Sequence, residues 1–343
     1  MSSSTPADAF RWAVLGPGAI ARKFVAQLPA SRRGVLVAVG SSDPARAAAF
    51  AVEHGLPAGA GTGYAEVLAD PAVDAVYVAT VHTTHTRLTL DALAAGKHVL
   101  CEKPLAPGQA SVRTMVDAAR ASGRSLVEAF KFRFHPQTVA LLELVAAGRI
   151  GEVAHVDAAF SFRAPERSGR LFDPATAGGG ILDVGGYPVA FARAVAGAAT
   201  GQRFAEPERL RARGVLGPTG VDEWSVAQLD FPGGVTASVR TGVRLAGPNT
   251  VSVHGSRGSL HLDQPWTHGP DSLLLVSVVD AEPERLEFTG VHPFALEADA
   301  LAASVGVGEA PEMSLDDSLG NAAVLDRWRA AIGLRYPFED RLA

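Results

Sequence analysis

From residue 11 to about residue 130, short β-branched apolar runs alternate with longer stretches of helical period, the pattern of βαβ units and a parallel sheet. Arg11–Leu15, Val35–Gly40, Ala75–Thr80, His98–Cys101 and Ser125–Glu128 read as strands. Ala19–Leu28, Pro44–His54, Thr86–Ala95 and Ala110–Ala121 read as the helices between them. Asp43 suits an N-cap with Pro44 at the first helical position, and Gly96 suits a helix stop. Beyond Gly148 the rhythm changes. Val153–Phe162, Glu223–Phe231, Val235–Arg240, Thr250–His254 and Ser259–Leu262 read as strands joined by short turns such as Pro232-Gly-Gly234, which is antiparallel hairpin chemistry. One helical stretch, Ile181 to Val195, interrupts them, and Pro293–Val305 and Leu315–Ala331 finish the chain as helices. An α/β domain over residues 10–130 is therefore expected, followed by an α+β domain over 131–343 whose C-terminal helix is able to pack back on the first.

The 343 residues, 47% of them hydrophobic, suffice for two cores. With 31 basic against 36 acidic residues the net charge is −5, which excludes a globally basic nucleic-acid binder and gives no reason to expect attraction to a membrane surface. The lone Cys101 excludes an intrachain disulfide and a multi-cysteine zinc site, and fits a reducing cytoplasm. The opening Met1-Ser-Ser-Ser-Thr-Pro-Ala-Asp8 has neither a basic nor an apolar leader region, and no apolar run approaches the ~20 residues of a membrane span. A cytoplasmic protein is the expectation. Only Lys23, Lys97, Lys103 and Lys131 are lysines, the other 27 basic residues being arginine, so each lysine raises a question.

Gly16-Pro-Gly18-Ala19-Ile20-Ala21 follows the first strand and opens the first helix. Glycines there permit a tight turn and the close approach of a pyrophosphate to free helix N–H groups. In this strand–turn–helix context the segment reads as the dinucleotide site of a Rossmann domain, with Gly16, Gly18, Ala19 and Ile20 as cofactor contacts. The end of the second strand offers Ser41 and Ser42 where an NAD site has an acidic residue for the ribose. Asp43 is occupied by its capping role, and Arg46 stands one turn into the helix, where it could meet a 2′-phosphate. NADP is favoured over NAD.

Cys101-Glu102-Lys103-Pro104 ends a strand of the same sheet, where parallel sheets place their sites. A lysine there can hold a reacting hydroxyl and favour the ionised form of a nearby acid. In Gly178-Gly-Gly-Ile-Leu-Asp183-Val-Gly-Gly-Tyr187 a glycine run leads into a helix that carries a carboxylate and a phenol four residues apart. A phenol near ~10 in water needs a cation beside it to exchange protons at neutral pH. Lysine, tyrosine and aspartate together would make a proton-transfer set.

These blocks resemble the Gfo/Idh/MocA family of NAD(P)-dependent oxidoreductases. The likeness rests on Gly16-Pro-Gly-Ala-Ile-Ala21, Ala79-Thr-Val-His-Thr-Thr-His85, Ala95-Gly-Lys-His-Val-Leu-Cys-Glu-Lys-Pro104, Glu128-Ala-Phe-Lys-Phe-Arg-Phe-His-Pro136 and the Gly178–Tyr187 block, in an order that covers most of residues 11–195. Tyr187, where many inositol dehydrogenases of the family have histidine, makes the chain most similar to the branch of D-xylose dehydrogenases, trans-dihydrodiol dehydrogenases and glucose–fructose oxidoreductase. The resemblance implies that Lys103 orients the substrate, that Tyr187 exchanges the hydroxyl proton and that Asp183 assists binding or positions the tyrosine. It implies cofactor contacts from Thr80, His82, His85, Glu102 and Lys103. It also implies an open sheet in the second domain, often used for pairing subunits, and hence a homodimer or homotetramer. The chain departs from the family pattern at His82, usually asparagine, and at Lys131, commonly methionine or another neutral residue, where a second cation would lie near the substrate. It departs again at Ser42, where NADP-preferring relatives often carry arginine.

His82 and His85 have a spacing that could hold a metal, but no cysteine or carboxylate nearby completes a set, so no metal is expected. Phe130, Phe132 and Phe134 alternate as in a strand with one buried face, with Phe130 a possible neighbour of the nicotinamide. Arg133 and His135 could touch a polyol or serve a structural ion pair. No Gly-x-Ser-x-Gly elbow and no P-loop occur. The expected activity is hydride transfer between a sugar, polyol or cyclic diol carbinol and nicotinamide. The alternatives are a catalytically silent cofactor-binding regulator and an NAD-assisted glycosidase on the same fold.

Overall fold

The computed structural model describes residues 8–267 and 271–339. The chain divides into two compact units. Of the described residues, one comprises 8–106, 110–134 and 292–318, and the other 107–109, 135–267, 271–291 and 319–339.

In the first unit β1 (Phe10–Leu15), β2 (Gly34–Gly40), β3 (Gly61–Thr62), β4 (Ala75–Val78), β5 (His98–Glu102) and β6 (Leu126–Ala129) form a parallel sheet in the order β3-β2-β1-β4-β5-β6. The helices are α1 (Ala19–Gln27), α2 (Pro44–Glu53), α3 (Tyr64–Ala69), α4 (His85–Ala94), α5 (Gln109–Ser122, whose first residue falls in the other unit) and the short α6 (Lys131–Phe134). β4 and β5 are buried throughout, as strands covered on both faces must be. Asp43 caps α2 through Ala45 N–H at 3.0 Å, and Gly96 takes φ +76° just past α4, both as the sequence predicts. Strand order reverses between β1 and β4, the kind of switch point beside which open parallel sheets bind dinucleotides. Phe24 stacks on Tyr77 at 4.1 Å and meets Trp12 edge-on.

Phe132 and Phe134 do not extend a strand. Residues 131–134 form one helical turn, since alternation over five residues cannot separate a strand from a buried turn, and the aromatic side chains are buried either way.

The second unit opens with α7 (Pro136–Ala146), capped by the His135 ring, and contains β7 (Val153–Ser161), α8 (Gly186–Ala199), β8 (Arg209–Leu216), β9 (Asp222–Asp230), β10 (Thr236–Gly242), β11 (Thr250–Gly255), β12 (Gly258–Asp263), β13 (Ser272–Val278) and β14 (Glu284–Phe288). The strands form one sheet in the order β14-β13-β12-β11-β7-β10-β9-β8, antiparallel except for the central β7–β10 pair. One face is covered by α8, nearly all of whose residues are buried. The other carries polar side chains such as Asp157, Gln228, Ser238 and Arg240 around a shallow open depression. Strand alternation follows from that asymmetry. α9 (Pro293–Ser304) belongs wholly to the first unit, whereas α10 (Leu315–Ala331) starts in the first and continues in the second. No described helix is long and apolar enough to cross a membrane.

Candidate active site

The glycine turn is built on two different constraints. Gly16 has φ +97°, and a Cβ there would stand 2.7 Å from Thr80 Cγ2 and 3.0 Å from the Ala79 carbonyl oxygen, so only glycine lets β1 pass the loop after β4. Gly18, the N-cap of α1, has the ordinary extended φ of −101°, and a Cβ there would meet protein no nearer than 4.0 Å. Packing does not demand glycine at 18, and the open space beside it leaves the backbone accessible to a ligand. Ala19 and Ile20 open α1, which has neither a side-chain cap nor an acidic residue in its first turn, leaving its N–H groups to an anion. Ala21 is buried. These features fit a dinucleotide pyrophosphate.

At the end of β2 Ser41 is buried and its hydroxyl accepts from Asp43 N–H at 3.1 Å, while Ser42 and Arg46 are exposed. Thr80 bonds the Thr84 hydroxyl at 2.7 Å, which shapes the loop after β4. His82 is buried in that loop. His85 is fully buried, its Nδ1 3.0 Å from the Pro104 carbonyl oxygen and its Nε2 3.2 Å from that of Thr80. Burial pushes its pKa down, so the ring is neutral and donates to one carbonyl at a time. The ring clamps the loops after β4 and β5 from within.

Glu102 ends β5 and accepts from the Tyr77 hydroxyl at 2.5 Å, and Lys103 follows at the strand's C-terminal end, half-buried. Among the other lysines, Lys97 is occupied by the Asp70 and Val73 carbonyls, at 2.7 and 2.9 Å. Lys131 places its ammonium 5.7 Å from the centre of the Phe294 ring. Facing it from α9 is Glu297, wholly buried, with neither carboxyl oxygen hydrogen-bonded. Burial pushes this carboxyl well above its ordinary range and Glu102 pushes it further, while Lys131 pulls it back. Burial equally lowers the Lys131 ammonium. The sequence gives no sign that Glu297, one of two acids in a largely apolar helix with Asp299, is the buried one.

Phe130 is fully buried and meets Phe132 edge-on at 5.9 Å. Arg133 is buried too, with Nη2 2.8 Å from Asp317 and Nε donating to the Glu312 carbonyl at 2.9 Å. Of its two readings from sequence, the geometry supports the ion pair. Asp317→Ala should therefore destabilise the protein by about 3–5 kcal/mol, because it takes the carboxylate away from a buried guanidinium; denaturant unfolding measures this.

In the second unit the Gly178–Tyr187 block forms a tight loop, a π-helical turn over Ile181–Gly185 and the start of α8. Asp183 lies in the π turn, paired with Arg170 at 2.9 Å. Tyr187 is buried against Phe160, at 5.1 Å edge-on, and Trp266, at 5.7 Å. A second carboxylate meets the start of this helical run from outside it: Asp222 accepts from Ile181 N–H at 2.8 Å.

A glycine turn suited to an anion after β1, with a lysine following β5 of the same parallel sheet, fits a dinucleotide-dependent oxidoreductase domain. Residues 10–130 match the GFO/IDH/MocA oxidoreductase family with its NAD-binding Rossmann fold, and residues 138–261 match the GFO/IDH/MocA C-terminal domain. The chain belongs to this family and is an NAD(P)-dependent oxidoreductase acting on alcohol or carbonyl groups. It is 35% identical to trans-1,2-dihydrobenzene-1,2-diol dehydrogenase of Mus musculus, over 97% of this chain and 100% of the relative, and 36% identical to that of Bos taurus, over 96% and 98%. Among solved structures it is similar to the aldose–aldose oxidoreductase of Caulobacter crescentus in complex with glycerol, with TM-score 0.85, 26% identity and coverage of 94% and 97%. The 3-ketoreductase KijD10 of Actinomadura kijaniata with NADP and TDP-benzene gives 0.82, 28%, and 95% and 98%.

Proposed function

We propose that the protein oxidises a secondary hydroxyl of a cyclic diol, sugar or related polyol, or reduces the matching ketone, with Tyr187 and Lys103 acting on the same alcohol. What supports this most is the full-length likeness to dehydrogenases of a cyclic diol in a chain that carries both residues. Bound at the glycine turn, a nicotinamide supplies the acceptor, or in reverse the donor, for the hydride of the carbinol carbon. Tyr187 Oη takes the hydroxyl proton in oxidation and returns it in reduction. The Lys103 ammonium bonds the substrate oxygen and favours the ionised phenol. Asp183, held by Arg170, fixes a second substrate hydroxyl or the tyrosine. Lys131, Phe130 and the loop bearing His82 line the substrate and nicotinamide end. Rate measurements with both cofactors against cyclic diols, pentoses, hexoses and inositols test the reading, and absence of turnover across that panel would sink it.

NADP is the preferred cofactor in this reading. The end of β2 presents no acid to a ribose diol, Asp43 being held by Ala45 N–H, while exposed Arg46 is available to a 2′-phosphate. Arg46→Ala should raise KM for NADP about tenfold and leave that for NAD nearly unchanged, since one charge-assisted contact is lost. An equal rise for both would remove Arg46 from the site. A cytoplasmic location and assembly as a homodimer or homotetramer belong to the same proposal, the uncovered polar face of the second sheet being the surface offered for pairing; solution scattering tests the assembly.

A further inference from the structure

Three buried side chains from three distant segments converge on the Gly178–Gly180 loop of the second unit. Asp222, at the start of β9, accepts from Ile181 N–H at 2.8 Å. Thr241, on β10, donates to the Gly180 carbonyl at 2.9 Å. Tyr336, beyond α10, donates to the Gly178 carbonyl at 2.5 Å. The fit is close. A Cβ on Gly179, where φ is +109°, would lie 2.2 Å from Asp222 Oδ1, and one on Gly180 would lie 2.9 Å from the Gly242 Cα.

Downstream the chain is helical without a break from Ile181 to Ala199, through the π turn that holds Asp183 into the first turn of α8 that holds Tyr187. Gly180 supplies no side-chain cap to this run. Asp222 alone among these partners brings a carboxylate to its first amides, where the helix dipole favours an anion. We propose that Asp222 is a positioning residue for catalysis, its carboxylate anchoring the glycine loop and so fixing where the helical run sets Asp183 and Tyr187. This rests on the dehydrogenase reading given above.

The anchor carries a switch. Asp222 is fully buried, its Oδ1 has no hydrogen-bond partner, and burial pushes the carboxyl up to about 7. The Ile181, Asp222 and Gly180 amides and the charge of Arg329 hold it from rising further. The groups around it are few. Arg329 on α10 is tied to Asp326 and Glu339, and the Tyr336 phenol is held protonated by burial and by Asp222 itself. β10 turns the uncharged Thr241 and Gly242 toward the loop, and the next residue of β9, Glu223, is paired with Arg167. Ionisation above about pH 7 costs the fold as a whole because the carboxylate is buried. While Asp222 stays buried, however, its hydrogen bonds to the loop amides are charge-assisted, so local opening of the loop that leaves Asp222 in place is opposed more by the carboxylate than by the neutral acid.

The test combines Asp222→Asn with hydrogen–deuterium exchange over residues 178–187, corrected for the intrinsic pH dependence of exchange. In the wild type, protection of this segment should rise several-fold between pH 5.5 and 8.5, roughly as one ionisation would give. In Asp222→Asn it should not change with pH. The variant should also lose about tenfold in kcat at pH 8, keep its KM for the cofactor, and lose the acid limb of the kcat profile centred near pH 7. Wild-type protection independent of pH overturns the proposal even if the variant fails to fold, and so does a variant with the wild-type kcat profile. If the wild type turns over no alcohol, the dehydrogenase reading fails, and the exchange experiment still decides the anchor.

Discussion

Tyr187→Phe is expected to lower turnover by about 10² or more with little change in thermal stability, followed by nicotinamide absorbance and by thermal unfolding. The ring of Tyr187 packs against Phe160 and Trp266, and phenylalanine keeps those contacts while removing the hydroxyl that is proposed to exchange the proton. Lys103→Ala should fall as far if, as proposed, its ammonium both bonds the substrate oxygen and favours the ionised phenol. Since both act on one proton transfer, the double variant should lose much less than the product of the two single losses. A near-normal rate in Tyr187→Phe would leave the phenol a core residue.

The second large effect separates the two glycines of the turn. Gly18→Val should keep the wild-type melting temperature and weaken cofactor binding by about 10² or more, because the added carbons fill space that the protein leaves open and a pyrophosphate needs. Gly16→Val should behave differently. It forces a branched side chain to φ +97° and into Thr80 and Ala79, so stability should fall by at least about 1–3 kcal/mol along with binding. Calorimetric titration with NADP and thermal unfolding on both variants distinguish these outcomes. Unchanged affinity in Gly18→Val would remove the glycine turn from the cofactor site.

The pH dependence of stability offers a check on Asp222 that is independent of turnover. Its folded value of about 7 lies above that of an unfolded aspartate, near ~3.9, so between these limits the folded state binds the extra proton. The contribution of this carboxyl to stability is therefore largest below pH ~3.9, declines as pH rises to about 7, and is level beyond. Asp222→Asn should flatten that part of the wild-type profile.

Much of the first unit was legible in the sequence. The βαβ rhythm, the Asp43–Pro44 helix start, the Gly96 stop and the glycine turn are set by neighbours within a few residues, and they appear where expected. The second unit was less so. β8, with Arg209, Arg211 and Arg213 alternating with Leu210, Ala212 and Gly214, has too little apolar content to stand out and exists through its pairing with β9. β13 is an apolar run with no alternation, which period alone does not assign. The aromatic alternation at 130–134 was misread for want of length. Arg133 was undecided until the fold brought Asp317 to it from 184 positions away.

The sequence by itself determined the βαβ rhythm and the glycine turn, which depend on short-range periodicity and turn stereochemistry, while the resemblance of its motifs pointed to the family and singled out Lys103 and Tyr187 as expected site residues. Only the tertiary structure decided that His85 is an internal clamp, that Glu297 is a buried acid facing Lys131, and that Asp222 holds the start of the tyrosine's helix. Each of those roles is created by burial and by partners remote in the chain, Asp222 lying 41 positions from Ile181 and Tyr336 158 from Gly178. A carboxylate acquires its chemistry from the dielectric and the donors around it, and neither is written in its neighbours along the chain.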